Sequence, residues 1–300
     1  MPLPAAPFVP DSVERNLLGL PLARICLKHI ADMIGPMHGL TGLDLGGWGG
    51  TLSAELRRRG GTWTSMDAPG PAFDSLRRRC GNDRVYPIER LHLPFADQSF
   101  DVVIMIDLLQ HARDEDALVQ ELHRVLRPAG QLIAQVPRIR SGSVVPALGR
   151  LLRIQDPWSS RLRAGYTPRQ LFAVLKNGFD VQDARSYGRP LSYLSDSALR
   201  AVAIRRSGVE GAVYEAWAEL ARQWMPAAWA ARILDAPLIL SRGHRLLVRA
   251  KRRLWIPRNT PVLRDGRSIA EATLQTRIGT ASTLAQLTAP RGPTQVRTRR

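Results

Sequence analysis

The segment Leu91-His92-Leu93-Pro94-Phe95-Ala96-Asp97-Gln98-Ser99-Phe100-Asp101-Val102-Val103-Ile104-Met105-Ile106-Asp107-Leu108-Leu109-Gln110-His111, with its continuation to Pro137, carries the densest structural signal in the chain. Val102 to Ile106 is a short, unbroken apolar run rich in β-branched residues, the pattern of a strand buried on both faces of a parallel sheet. Asp114 to Leu126 then places Ala117, Leu118, Leu122, Val125 and Leu126 at helical spacing with charged residues between them. Pro128-Ala129-Gly130 is expected to stop that helix, because proline cannot continue it and glycine tolerates the turn. Gln131 to Val136 reads as the next strand. The unit is strand–helix–strand with an expected right-handed crossover. This predicts α/β architecture.

Upstream, Leu17 to Ile34 has apolar residues at helical intervals and predicts one helix ahead of the first strand, Gly42 to Leu45. A helix from Thr51 ends at Gly60, and the run Arg57-Arg58-Arg59 in its last turn suits the macrodipole and reads as a solvated helix end. Thr62 to Met66 is a strand ending at Asp67, Pro71 to Arg79 a helix, and Val85 to Ile88 a strand.

Downstream, Arg138 to Arg163 predicts a helix and a loop over the mouth of a site. Thr167 is placed to cap a helix whose first residue is Pro168, and Val181 to Ala184 is a further strand. Leu191 to Leu240, with Trp217, Trp224 and Trp229, reads as a helical insertion before a last strand at Leu246 to Ala250. The expected organisation is an N-terminal helical cover (1–40), a main domain (41–250, with the insertion at 191–240) and a basic tail (251–300), disordered at its end. No internal repeat is present.

An apolar fraction of 44% lets the chain bury a substantial core. Cys26 and Cys80 lie far apart without metal-ligand spacing and read as reduced thiols, so no metal site is expected. The N-terminus lacks a secretory pattern, and Ala227 to Leu240 is too interrupted to span a bilayer, which together predict a cytoplasmic protein. Net charge is +17, and from Lys251 onward eleven Lys or Arg stand against Asp265 and Glu271. Such a segment can attract anionic lipid, nucleic acid or an acidic substrate, or simply keep the chain soluble. No aromatic-interleaved basic stripe accompanies it, which disfavours nucleic acid.

Asp44-Leu45-Gly46-Gly47-Trp48-Gly49-Gly50 follows a strand and precedes a helix, the setting in which glycines let the backbone approach a ligand closely. Asp67 follows about twenty residues later, the spacing at which a carboxylate accepts ribose hydroxyl bonds in dinucleotide folds. Together with the 91–137 block, these residues resemble the class I S-adenosylmethionine-dependent methyltransferases, in particular the type 11 subgroup. The resemblance covers Leu40 to Pro137 well and Tyr166 to Ala250 more loosely.

It implies a Rossmann-like doubly wound sheet with a final antiparallel strand, and S-adenosylmethionine as cofactor. The implied cofactor residues are Asp44, Gly46, Gly47, Trp48, Gly50, Asp67, Glu89, Arg90 and Asp107. Asp67 would meet the ribose, and Glu89-Arg90 would stand at the acidic position facing the adenine amine. Trp48 occupies the place of the family's middle glycine. Its ring could fill the room for the methionine part of the cofactor or lie against the sulfonium. His111 stands where it could take a proton from an acceptor hydroxyl, or it could only bond the loop backbone.

The implied reaction is direct methyl displacement onto a small-molecule or lipid-linked acceptor. Trp48, and Gln110 in place of the family's common Glu, leave open a catalytically inactive binding or scaffold protein. The basic tail adds the expectation of peripheral contact with an anionic inner membrane surface.

Overall fold

The computed structural model describes residues 12–89, 92–139, 162–207, 213–237 and 243–255. All of them fall within one compact unit, Met1–Ile256. Most of the 138–163 segment expected over the mouth, Arg90, and the tail beyond residue 255 lie outside the described residues.

Two helices open the unit, α1 (Ser12–Gly19) and α2 (Pro21–Ile34). The single helix expected over Leu17 to Ile34 is therefore corrected. Pro21 has no N–H to continue α1, so Leu20 is extended and Pro21 starts a new helix. The apolar spacing runs across the break because both helices bury the same side.

There follow β1 (Thr41–Leu45), α3 (Thr51–Arg59), β2 (Thr62–Asp67), α4 (Pro71–Cys80), β3 (Val85–Pro87), β4 (Phe100–Ile106), α5 (Glu115–Val125) and β5 (Leu126–Pro137). Then come α6 (Pro168–Leu175), β6 (Phe179–Tyr187), α7 (Pro190–Ser207), α8 (Val213–Leu234) and β7 (Arg245–Arg252). Helix α6 begins with a full capping box between Thr167 and Gln170, with Pro168 in its first turn.

The seven strands form one sheet in the order β3-β2-β1-β4-β5-β7-β6. Strands β1 to β5 are parallel, while β7 lies antiparallel to both β5 and β6. The α/β sheet with a late antiparallel strand expected from the sequence is what forms. Alternation along β4 shows why the sheet is covered on both sides. Val102, Ile104 and Ile106 pack into a core with α1, α2 and α3. Val103 and Met105 pack into a second core with α5 and α6. Each such side chain contributes roughly 1.5–3 kcal/mol on burial.

The stop of α5 differs from its predicted cause. Asp114 caps the helix, accepting from Ala117 N–H at 2.9 Å, but the helix ends at Val125, ahead of Pro128. Leu126 is fully buried and already pairs with Phe100, so the chain turns into the sheet before the proline is reached. Pro128 disfavours helical geometry at Arg127, which reinforces that exit.

Candidate active site

Strand order reverses between β1 and β4. In a doubly wound sheet the crevice beyond the carboxyl ends of the strands at such a reversal is where ligands bind. The turn 46–50 leaves β1 there, and residues 107–111 leave β4 beside it.

The turn needs its glycines. Gly46 (φ +78°), Gly49 (φ +59°) and Gly50 (φ +89°) are left-handed, a conformation side chains rarely adopt. A Cβ on Gly46 would come 2.6 Å from the Ile106 carbonyl oxygen, so the two turns abut. Beneath them Asp44 is buried and accepts hydrogen bonds from the hydroxyls of Ser53 and Ser65, the latter at 2.5 Å. Burial pushes its carboxyl above the usual range, against the opposing pull of Arg57 and the two hydroxyls. A Cβ on Gly47 would meet Ser53 Oγ at 2.5 Å and Asp44 Oδ2 at 3.0 Å. Asp44 thus holds the turn down onto α3 and β2.

The expectation that Arg57-Arg58-Arg59 is only a solvated end is corrected for Arg57. Its guanidinium donates to Ser53 O at 3.1 Å, Ser65 Oγ at 2.6 Å and Trp63 O at 3.1 Å, tying α3 to β2. Arg58 and Arg59 are exposed and pair with Glu55.

Asp67 ends β2 and is buried, with backbone N–H groups of Ala68 (2.9 Å to Oδ1) and Gly49 as its hydrogen-bond donors. Burial pushes its carboxyl up to about 7, and those N–H groups only partly oppose the shift. Ile88 N–H donates to the Asp67 carbonyl at 2.9 Å, which brings the end of β3 alongside; Glu89 is exposed there.

Above the turn stands Tyr214 of α8, with ring atoms 2.7–2.8 Å from where a Gly49 Cβ would lie. Arg78 and Arg79 of α4 reach Glu215 at 3.2 and 3.8 Å and dock the start of α8 there. Trp48 (φ +54°) is buried in the core shared by α1, α2 and α8, and its indole N–H has no hydrogen-bond partner among the described residues.

At the end of β4, Asp107 adopts φ +49°, and its carboxylate forms an ion pair with the buried Arg245 at the start of β7. Gln110 is fully buried and donates to the Asp107 carbonyl at 2.7 Å, while its own backbone carbonyl accepts from Leu162 and Arg163. His111 closes a 3-10 turn, Leu109–His111, with its N–H on the Leu108 carbonyl at 2.9 Å. His123 bonds the Arg253 carbonyl at 2.7 Å and packs edge-on against Phe179 and Trp255.

A cavity lies beside Trp48, walled by α1, α2, α7 and α8 and reaching Gln135, Tyr187 and Arg245. Asp107 touches it only through Arg245, and His111 is not among its lining residues. Sequence reasoning missed Gln135, Tyr187, Asp196, Arg200 and Arg245, which come from four separate elements and share no spacing. Among the described residues no group of three or more His, Cys, Asp or Glu is arranged to hold a metal ion. No described helix is long and apolar enough to cross a membrane.

A glycine turn, an acidic residue ending β2 and a sheet closed by an antiparallel strand define a class I methyltransferase fold. Residues 43–134 match the type 11 family model, described as a methyltransferase domain. A ubiquinone/menaquinone biosynthesis C-methyltransferase of Idiomarina loihiensis is 27% identical over 47% of this chain and 64% of its own length. One of Haemophilus ducreyi is 30% identical over 50% of this chain and 65% of its own. The matched region therefore spans under two thirds of each relative. Among solved structures, the cyclase SpnF superposes with a TM-score of 0.52 at 20% identity, over 76% of this chain and 80% of that one. At that identity the likeness shows the fold.

Proposed function

We propose that this protein is an S-adenosylmethionine-dependent methyltransferase acting on a small-molecule or lipid-linked acceptor. The observation that carries the reading is Asp67, a buried carboxylate at the end of β2, held by backbone N–H groups beside a left-handed glycine turn. The relatives that methylate quinone precursors support a small-molecule acceptor.

The residues present fit the cofactor, which when bound supplies an electrophilic methyl group on a sulfonium. Gly46, Gly47 and Gly50 would let the turn backbone approach it, over the support given by Asp44. Asp67 would accept from the ribose hydroxyls, with Glu89 at the adenine end. Trp48 would border the methionine end, and Asp107, locked by Arg245, would position the turn that carries His111. His111 is our choice to take a proton from an acceptor hydroxyl; an acceptor already nucleophilic needs positioning alone, worth about 7–11 kcal/mol of barrier. Because the Tyr214 ring stands over the turn, binding has to move the start of α8 aside.

Calorimetric titration with S-adenosylmethionine and S-adenosylhomocysteine tests the reading. Both should bind, and Asp67→Ala should weaken them by about 10- to 150-fold through loss of charge-assisted hydrogen bonds of roughly 1.5–3 kcal/mol. Wild-type protein that binds neither overturns it.

We further propose peripheral contact with anionic membrane. The net charge of +17 supports it, as do Trp224, Ile233 and Leu234 exposed along α8. Vesicles containing anionic lipid should co-sediment the protein at low salt, with binding falling as salt rises and on deletion of residues 256–300. Protein that ignores such vesicles rules the contact out and leaves the enzyme reading intact.

A further inference from the structure

The cavity beside Trp48 is narrow and partly open to solvent. It has room for about one water molecule, or one ligand oxygen. Leu17, Leu22 and Ala23 give it an apolar wall. Its polar groups are unevenly matched.

The acceptors are engaged. Gln135 Oε1 takes the Cys26 thiol at 3.0 Å and the Tyr187 hydroxyl. Burial pushes the Cys26 thiol up to about 12 and the Tyr187 hydroxyl well above its ordinary value, so both remain protonated donors. Asp196 is paired with Arg200 at 3.1 Å, and Arg245 with Asp107.

Donors are left over. Trp48 and Trp217, at 9% and 4% exposure, line this cavity, and their buried indole N–H groups have no hydrogen-bond partner among the described residues. The Arg200 guanidinium lies over the Trp217 ring at 4.2 Å and has five N–H groups, more than one carboxylate uses. A buried donor without a partner costs about 1–3 kcal/mol, which a ligand acceptor would recover.

We propose that this cavity binds a ligand through an oxygen that accepts hydrogen bonds and donates none, a carboxylate or ketone oxygen on an apolar body, held by the indole N–H groups of Trp48 and Trp217 with Arg200 beside them. The two ion pairs leave the lining without net charge, so selection is by hydrogen-bond polarity and not by bulk charge. The inference rests on the methyltransferase reading only for the identity of the occupant. On that reading it is the methyl acceptor, and the cofactor's own carboxylate is the other source of the same chemistry.

Fluorescence titration of the full chain separates these cases. The probes are benzoate and acetophenone, which only accept, and benzylamine, whose ammonium only donates. Wild type should bind both acceptor probes at least about tenfold more tightly than benzylamine. Trp48→Phe and Trp217→Phe keep a ring, lose the N–H, and should each weaken the acceptor probes about fivefold while leaving benzylamine unchanged. S-adenosylhomocysteine is titrated in parallel. Unchanged affinity for it assigns the donors to the acceptor. Equal weakening, absent with a decarboxylated analogue, assigns them to the cofactor carboxylate.

No preference among the probes in wild type, or variants indistinguishable from it, overturns the proposal even if S-adenosylhomocysteine binds. Tryptophan-dependent binding of benzoate without any binding of S-adenosylhomocysteine keeps the cavity and removes the methyltransferase reading.

Discussion

Asp67→Asn is expected to strengthen the fold at pH 8 while weakening the cofactor site. The buried carboxyl has its pKa raised to about 7, whereas in the unfolded chain it titrates near 3.9. Between those values the folded protein holds a proton that the unfolded chain has released, so stability falls as pH rises from about 4 to about 7 and stays low above that. Asparagine offers the same carbonyl oxygen to Ala68 N–H and removes the titration. Its advantage should reach a few kcal/mol at pH 8 and be clearly smaller at pH 5.5.

Urea unfolding at the two pH values measures this. The same substitution should lower affinity for S-adenosylhomocysteine about tenfold, because a neutral amide is a weaker acceptor than a carboxylate. A variant equally stabilised at both pH values would show that Asp67 is not carrying a buried charge. This position trades stability for binding, as expected where a site strains its own fold.

Arg245→Met should be the most destabilising single change in the site. It removes the guanidinium that pairs with the half-buried Asp107 carboxylate, at a cost of about 3–5 kcal/mol. For a unit of this size that is a fall of roughly 6–20 °C in Tm. Adding Asp107→Asn should restore most of the loss, since a neutral side chain needs no cation and asparagine tolerates the φ of +49° at that position. Thermal unfolding of both single variants and the double variant closes the cycle. A double variant no better than Arg245→Met would mean that Arg245 stabilises by packing, chiefly against Tyr193, whose ring centroid it approaches to 5.8 Å.

The parts of the fold readable in the sequence are those fixed by local periodicity. Strand β4, helix α5 and the capped start of α6 each carry their signal within a few residues, and they formed where expected. Helix α1 was hidden because Leu20-Pro21 interrupts the backbone without interrupting the apolar stripe. Arg57 looked like a surface group because its partner Ser65 comes from another element.

The same holds for the site. The glycine turn and Asp67 could be found from spacing along one strand–helix–strand unit. Tyr214 over Gly49, and the set Gln135, Tyr187, Arg200 and Arg245, exist only once β5, β6, β7, α7 and α8 converge. Trp48 stood out in the sequence as a departure from the family's glycine. Its unpartnered N–H became visible only in three dimensions.

The aromatic ring seated on Gly49 also bears on how fast a ligand can arrive. The start of α8 is pinned to α4 by partly exposed ion pairs, which hold weakly, and by one buried ring, which holds more firmly. Any occupant of the space above Gly49 finds only the fraction of molecules in which that ring has lifted, and its apparent Kd is raised by that fraction. At low ligand concentration the observed binding rate climbs in proportion to ligand. At high concentration it levels off at the opening rate of the helix, so the plateau reads out a motion of the protein and is the same for every ligand that enters by this door.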